Sequence, residues 1–210
     1  MLRTRLLIPF LLAGAVLTAE PTRHVAPLEP VLDPYEEFDA HPERHLGETV
    51  RFAFTLESEL ETWNPYLTRF GASSFDCIRG WSDGSFPWLR SDYENPSIRL
   101  FLTAGTRAQR VAKTASPYTR FAVTGVVREL FAGQPWIEVI ALDRLEASLN
   151  EGTVLHAARA MREMDAKQFT LAIENFERAR VGILPKVSAD ELERLLAECR
   201  AGLAAAGTPE

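Results

Sequence analysis

The chain has 210 residues, 46% of them hydrophobic and 25% charged, with no repetitive segment; this is a globular composition and excludes a fibrous or disordered chain. Its formal charge is −6, with basic residues scattered singly among acids. Neither the basic stripe that holds a phosphate backbone nor a polybasic membrane patch is present, so nucleic acid is not an expected partner.

Residues 1–19 read as an export signal. Arg3 and Arg5 form a short positive start, residues 6–17 are almost wholly apolar, and Thr18-Ala19 offers a small-residue exit before Glu20. A spanning helix needs ~20 apolar residues, whereas this run is shorter and is interrupted by Pro9 and Gly14. Cleavage near Glu20 is therefore expected, with Ala13-Gly14-Ala15 as a competing site, and the protein is expected to be periplasmic or secreted. Membrane contact is expected only if the segment stays uncleaved. Loss of Arg3 and Arg5 brings the charge to −8. Two cysteines, Cys77 and Cys199, fall on apolar faces, which suits buried thiols, and leave a disulfide between them open.

Residues 20–45 form a linker and lead-in, with Pro21, Pro27, Pro30 and Pro34 keeping its first part extended and Tyr35 to Phe38 suited to one helical turn. Val50, Phe52, Phe54 and Leu56 then alternate with Arg51, Ala53, Thr55 and Glu57, the period-2 pattern of a half-buried strand. Further strands are predicted over Phe70–Trp81 and Ser97–Thr103, a short helix over Gly105–Ala115 with Ala108, Val111 and Ala112 inward, and a hairpin from Tyr118–Leu130 and Trp136–Leu145. Gly125 in mid-strand predicts a bulge or bend.

The stretches Leu46-Gly47-Glu48-Thr49-Val50-Arg51-Phe52 and Arg120-Phe121-Ala122-Val123-Thr124-Gly125-Val126-Val127, with this order of elements, resemble the OB-fold, a five-stranded Greek-key barrel with a helix between its third and fourth strands. The resemblance spans residues 46–149 and is similar to exported bacterial OB-fold proteins; the connections 58–69 and 82–96 are longer than a minimal barrel needs. It implies binding on one barrel face and through the loops.

After Asn150 the period changes to 3.6. Helices are predicted over Val154–Ala166, along the face Phe169, Ala172, Ile173, Phe176 and Ala179, and along Leu192, Leu195, Leu196, Cys199 and Leu203, the last capped by Ser188 with Glu191 three residues on. Ala160, Phe169, Ala172, Phe176, Ala179 and Pro185 resemble one tetratricopeptide repeat; His156, Arg159 and Glu163 depart from that pattern. A lone repeat leaves an apolar face, so residues 150–206 form either a three-helix unit packed on the barrel or a hairpin with an open partner groove along Phe169, Ile173 and Phe176. Residues 207–210 are a tail. The predicted class is α+β, a five-stranded OB-like β-barrel with a C-terminal helical hairpin or three-helix unit.

Chemistry-bearing motifs are sparse. No nucleophile elbow, phosphate loop, His-Glu-x-x-His or Cys-x-x-Cys occurs, so no cofactor and no metal are expected and a non-enzymatic role is favoured. Asp39, His41 and His45 lack a further ligand for zinc. Asp76, Asp83, Asp92 and Glu94 around the second strand keep open an enzyme with a carboxylate pair. Aromatics stand out more: Trp63, Tyr66, Trp81, Phe86, Trp88 and Tyr93 crowd the two long connections, where rings either plug the barrel or stack on a ligand. The leading expectation is an exported binding or scaffold protein of the bacterial cell envelope that takes a protein, peptide or glycan. A carboxylate enzyme is the second reading and a single-stranded nucleic-acid binder the third.

Overall fold

The computed structural model describes residues 30–206. The segment expected to be an export signal, the linker before Pro30 and the tail 207–210 lie outside the described residues. Five strands, β1 (Thr49–Leu60), β2 (Phe75–Trp81), β3 (Ile98–Thr103), β4 (Arg120–Phe131) and β5 (Gln134–Arg144), close into a barrel in the order β1-β2-β3-β5-β4, with β4 returning to β1. Only the β3–β5 pair is parallel.

Alternation explains the interior. Phe52, Phe54, Ile98, Leu100, Phe121, Val123 and Ile137 are fully buried in the barrel core. At three places the alternation slips by one residue because a bulge inserts an unpaired residue, which moves everything beyond it to the other face. Leu56 pairs with Gly80 and Ser58 with Arg79, so Glu57 is the extra residue in β1. Thr124 pairs with Ala141 and Gly125 with Val139, leaving Ile140 extra. Ile140 is accordingly 59% exposed, while Val139 before it and Leu142 after it both face inward. The third slip leaves Arg128 unpaired in β4. Gly125 has its bulge, and a Cβ there would stand 2.5 Å from Ile137 Cγ2, so the bare backbone is a packing requirement.

The β4–β5 hairpin turns through Ala132 and Gly133, at φ 50° and 81°, the doubly left-handed pair of a type I′ turn. Helix α1 (Tyr35–Ala40) and a 3₁₀ turn (Pro42–His45) lead into the barrel, and Tyr35 and Phe38 pack on Phe52 with ring centroids 5.2 and 5.9 Å away. The short helix α2 (Arg90–Glu94) lies in the β2–β3 connection. Helix α3 (Arg107–Lys113), between β3 and β4, adds Ala108 and Ala112 to the core.

Helices α4 (Glu151–Asp165), α5 (Phe169–Ala179) and α6 (Lys186–Ala206) follow. Asn150 caps α4 by accepting a hydrogen bond from Thr153 N at 2.9 Å. Ala157, Ala160, Ala172 and Ala179 are completely buried, which lets the helices approach closely, and Phe176, Leu192, Leu196 and Cys199 fill the centre. Helix α6 begins two residues before Ser188, which is buried inside the first turns and does not serve as the N-cap. The third helix starts early because Pro185, with φ already suited to a helical start, precedes it. The ring of Phe169 sits over Gly202, where a Cβ would come within 2.6 Å. Helix α6 therefore covers the α5 face, and the groove expected along Phe169, Ile173 and Phe176 is filled: Phe176 is fully buried and the other two are partly buried in the same cluster.

Cys77 and Cys199 are free and buried in separate clusters, one against the barrel wall and one between helices. No helix among the described residues is long and apolar enough to cross a membrane.

Candidate functional site

The six aromatic residues of the two connections divide into two groups. In the β1–β2 connection, Trp63 donates from Nε1 to Phe70 O at 2.7 Å, and Phe70 stacks on Phe101 at 3.9 Å with the rings nearly parallel. Trp63, Phe75, Phe131 and Trp136 complete this cluster on the outer wall of β2, β3 and β5. Phe101 thus points away from the barrel interior and is still fully buried. Its segment reads as a half-exposed strand, yet the connection folds back over it. Thr68 and Arg69 N–H bind Glu129 of β4, and these bonds hold the connection down. Tyr66 stands clear at 93% exposed.

The β2–β3 connection takes the other end of the barrel to the helices. Trp88 stacks on Phe86 at 5.1 Å and is buried within the helical cluster together with Leu149 and Leu192. Its Nε1 has no hydrogen-bond partner. Asp83 forms a bidentate pair with the buried Arg120, at 2.8 and 2.5 Å, and Arg120 Nη1 also reaches Ala147 O at 3.3 Å. That pair ties the connection to the start of β4 and to the segment before α4. Asp92 Oδ2 accepts from Phe86 N at 2.7 Å, and Asp76 accepts from Gln109 at 2.6 Å and pairs with Lys113 at 2.9 Å. Glu94 pairs with Arg90. The four acids are thus structural contacts in separate places and do not form a pair around a pocket. His45 lies 2.9 Å from Glu48, and His41 faces Glu43 at 3.7 Å.

A cleft opens where the connection, the approach to β4 and the start of α4 meet. Thr119 N donates to Ser116 O at 3.1 Å, closing a turn with Pro117 and Tyr118 at its centre. Tyr118 has φ 68°, at the turn position that normally selects glycine. Its N–H donates to Leu56 O at 2.7 Å and the next carbonyl accepts from Leu56 N, so pairing with β1 holds the unfavourable backbone in place. The reward is orientation: the Tyr118 ring lies 5.9 Å from Trp81 and within 5° of parallel. Tyr93 from α2 stacks on Trp81 at 6.2 Å. Trp81 itself is buried and fixed by an Nε1 bond to Asp92 O at 2.7 Å.

Two carboxylates complete the cleft. Glu57 is the bulged residue of β1, turned by that bulge toward Trp81, and it also accepts from Arg79 Nε at 2.5 Å. Glu151 is the first residue of α4, where the helix dipole favours a negative charge. These residues with Pro117 enclose about 300 Å³. A larger groove of about 650 Å³ shares Tyr93, Tyr118 and Glu151 and runs along α4 past Leu155, Ala158 and Met161, with Arg90, Arg162 and Asp165 on its lining. Leu155 is 61% and Tyr93 52% exposed. Burial pushes the Tyr118 hydroxyl up to about 12, with Tyr93 and the carboxylates Glu151 and Glu57 adding to the effect.

Sequence reasoning singled out Trp81, Phe86, Trp88 and Tyr93 around this place and missed Tyr118, Glu57 and Glu151. Period-2 alternation put Tyr118 and Glu57 in strands, and nothing in a strand pattern marks a left-handed tyrosine or a bulge. Pro117 before Tyr118 was the available turn signal. No protein-family model matches the chain, and no curated protein matches it either.

Proposed function

We propose that this chain is a non-enzymatic binding protein of the cell envelope, and that it holds an extended peptide segment of a partner protein in the groove between the β2–β3 connection and α4. One observation carries this reading: Tyr93 and Leu155 stay exposed on the lining of a groove of about 650 Å³ that also takes in the buried Trp88 ring. A preformed apolar trough with a few polar groups at one end suits a ligand bound without covalent chemistry. Asp76, Asp83, Asp92 and Glu94 are engaged in separate contacts away from the cleft, and of the two carboxylates in the cleft Glu57 is paired with Arg79, which favours binding over catalysis.

The barrel is read as OB-like on two grounds, its strand order and the placement of α3 between β3 and β4. The outer wall that OB-folds commonly use is occupied here by Phe70 and Trp63 of the chain's own connection, which moves the working surface to the helical side. The alanines packed between α4 and α5 support a single tetratricopeptide-like hairpin, capped by α6 and by Trp88. Export by residues 1–19 places this activity in the periplasm or outside the cell.

A phage-displayed heptapeptide library panned on the protein tests the reading. Selected peptides should bind with micromolar affinity and lose it on Met161→Glu, which places a charge on the α4 bank. Peptides that bind the Met161→Glu variant as well as the parent would move the site elsewhere. Export is tested separately: N-terminal sequencing of the protein from a periplasmic or culture fraction should begin near Glu20, and an intact Met1 in a cytosolic fraction would overturn it.

A further inference from the structure

The small cleft at the head of the groove differs chemically from the trough. Its six lining residues are Glu57, Trp81, Tyr93, Pro117, Tyr118 and Glu151: aromatic faces and carboxylates, with no lysine or arginine. The cations of the wider groove, Arg90 and Arg162, line the larger space and are absent from this one. Glu57 is partly neutralised by Arg79, whereas Glu151 has no ion-pair partner among the described residues. An aromatic ring presents its negative face to a cation, an attraction that strengthens where water is limited, and a carboxylate beside the rings adds a charge-assisted hydrogen bond.

From this juxtaposition we infer that the cleft is a subsite for one basic side chain, Lys or Arg, of the peptide whose neighbouring residues lie along α4. The inference rests on the peptide-groove reading and specifies what that peptide must carry. At about 300 Å³ the cleft is at the small end of ligand sites, with room for one side chain and not for a drug-sized molecule. Continuity with the larger groove through Tyr93, Tyr118 and Glu151 makes the cation part of a chain and not a free ion. The strained Tyr118 gains a purpose on this view, since its left-handed backbone sets the ring that would face the cation. The field at the Tyr118 hydroxyl agrees in sign: burial raises its pKa first, and the negative charges of Glu151 and Glu57 raise it further.

The test uses acetyl-lysine methylamide, acetyl-arginine methylamide and acetyl-norleucine methylamide as probes, followed by ¹⁵N amide shifts of the full chain. The two cationic probes should shift the Tyr118 and Glu151 amides saturably in the millimolar range, and norleucine, the same length without the charge, should not. Glu151→Gln, a change at an exposed helix start, should weaken the cationic probes at least threefold while leaving the melting temperature within a degree or two. Raising salt to 0.5 M should weaken them as well. Equal binding of norleucine and lysine, no shift by any probe, or unchanged lysine affinity in Glu151→Gln would each overturn the subsite. Selected peptides that need Met161 but tolerate Glu151→Gln would remove the cation subsite and leave the groove standing. A lysine probe that needs Glu151, with selected peptides indifferent to Met161→Glu, would remove the groove and leave an isolated cation site.

Discussion

At the scale of single residues, Trp88 and Tyr118 show opposite relations between a side chain and its backbone. Trp88 is placed by packing alone, 4% exposed, with an indole N–H that meets no acceptor. Trp88→Ala should cost about 3–5 kcal/mol for the lost ring and the cavity it leaves. Trp88→Phe should cost less than half of that, because it removes the orphaned donor together with part of the ring. Urea denaturation of both variants beside the parent checks the ratio, and a Phe variant as unstable as the Ala variant would mean that the N–H has a partner. Tyr118 is placed against its backbone preference, which costs an L-residue roughly 1–2 kcal/mol. Tyr118→Gly should therefore be more stable than Tyr118→Ala by roughly 1 kcal/mol, although glycine is ordinarily the worse substitution in a folded segment. The same denaturation series reads that reversal directly.

Among the elements, close approach and charge decide where the strands and connections sit. Gly80 in β2 lies opposite the bulged stretch of β1, and a Cβ there would stand 2.0 Å from Thr55 O and 2.7 Å from the Phe54 ring. Backbone cannot yield as a flexible side chain can, so Gly80→Ala should destabilise by at least ~2 kcal/mol, in the upper part of the overpacking range. A thermal melt would show it. Two carboxylates anchor loops and helices to the barrel. Burial opposes ionisation of Asp76, but the hydrogen bonds from Lys113 and Gln109 and the Lys113 charge prevail and hold its pKa below the ordinary value. Burial likewise opposes Glu129, and Thr68 and Arg69 prevail there. A lowered folded pKa stabilises the native state above the unfolded value, and that stability is lost as pH falls through the folded value. Stability should thus decline as pH drops below the ordinary carboxylate range. The double change Asp76→Asn and Glu129→Gln should lower stability at pH 7 and flatten this acid slope. Both groups retain solvent contact, so the effect should be modest, on the order of 1 kcal/mol.

In the whole molecule, one connection joins two cores. The barrel core draws only on residues before 143, and so is complete without the helices. The helical core is not complete alone, since Trp88, Phe86 and Leu89 of the β2–β3 connection are built into it. A chain ending at Leu149 should keep a cooperative thermal transition at lower temperature and should bind a hydrophobic dye through the uncovered Trp88 region. A helical fragment starting at Asn150 should be largely unfolded by circular dichroism. A truncated barrel as stable as the full chain would show that Trp88 is dispensable to it. The Asp83–Arg120 pair sits at this junction, and the larger groove is lined by both the β2–β3 connection and α4, so the proposed site depends on both units being in place.

The sequence by itself determined what short-range pattern can determine. Alternation at Val50, Phe52 and Phe54 specified β1 and its inward face, the two strand patterns on either side of residues 131–135 specified a hairpin, Gly125 marked a bulge or bend, and the change to a 3.6 period after Asn150 marked the helices. Each of these depends on neighbours within a few residues, and such neighbours are visible in a line of text. What only the tertiary structure decided is which apolar residues remain available. Phe101 and Phe176 both belong to legible faces, yet Phe101 is covered by a connection held from Glu129, while Phe176 is covered by α6. Glu57 and Glu151 are distant in sequence, and a bulge and a helix start bring them to one cleft. A face is a local property of the chain, whereas its exposure depends on which distant segment lands on it, and no periodicity records that.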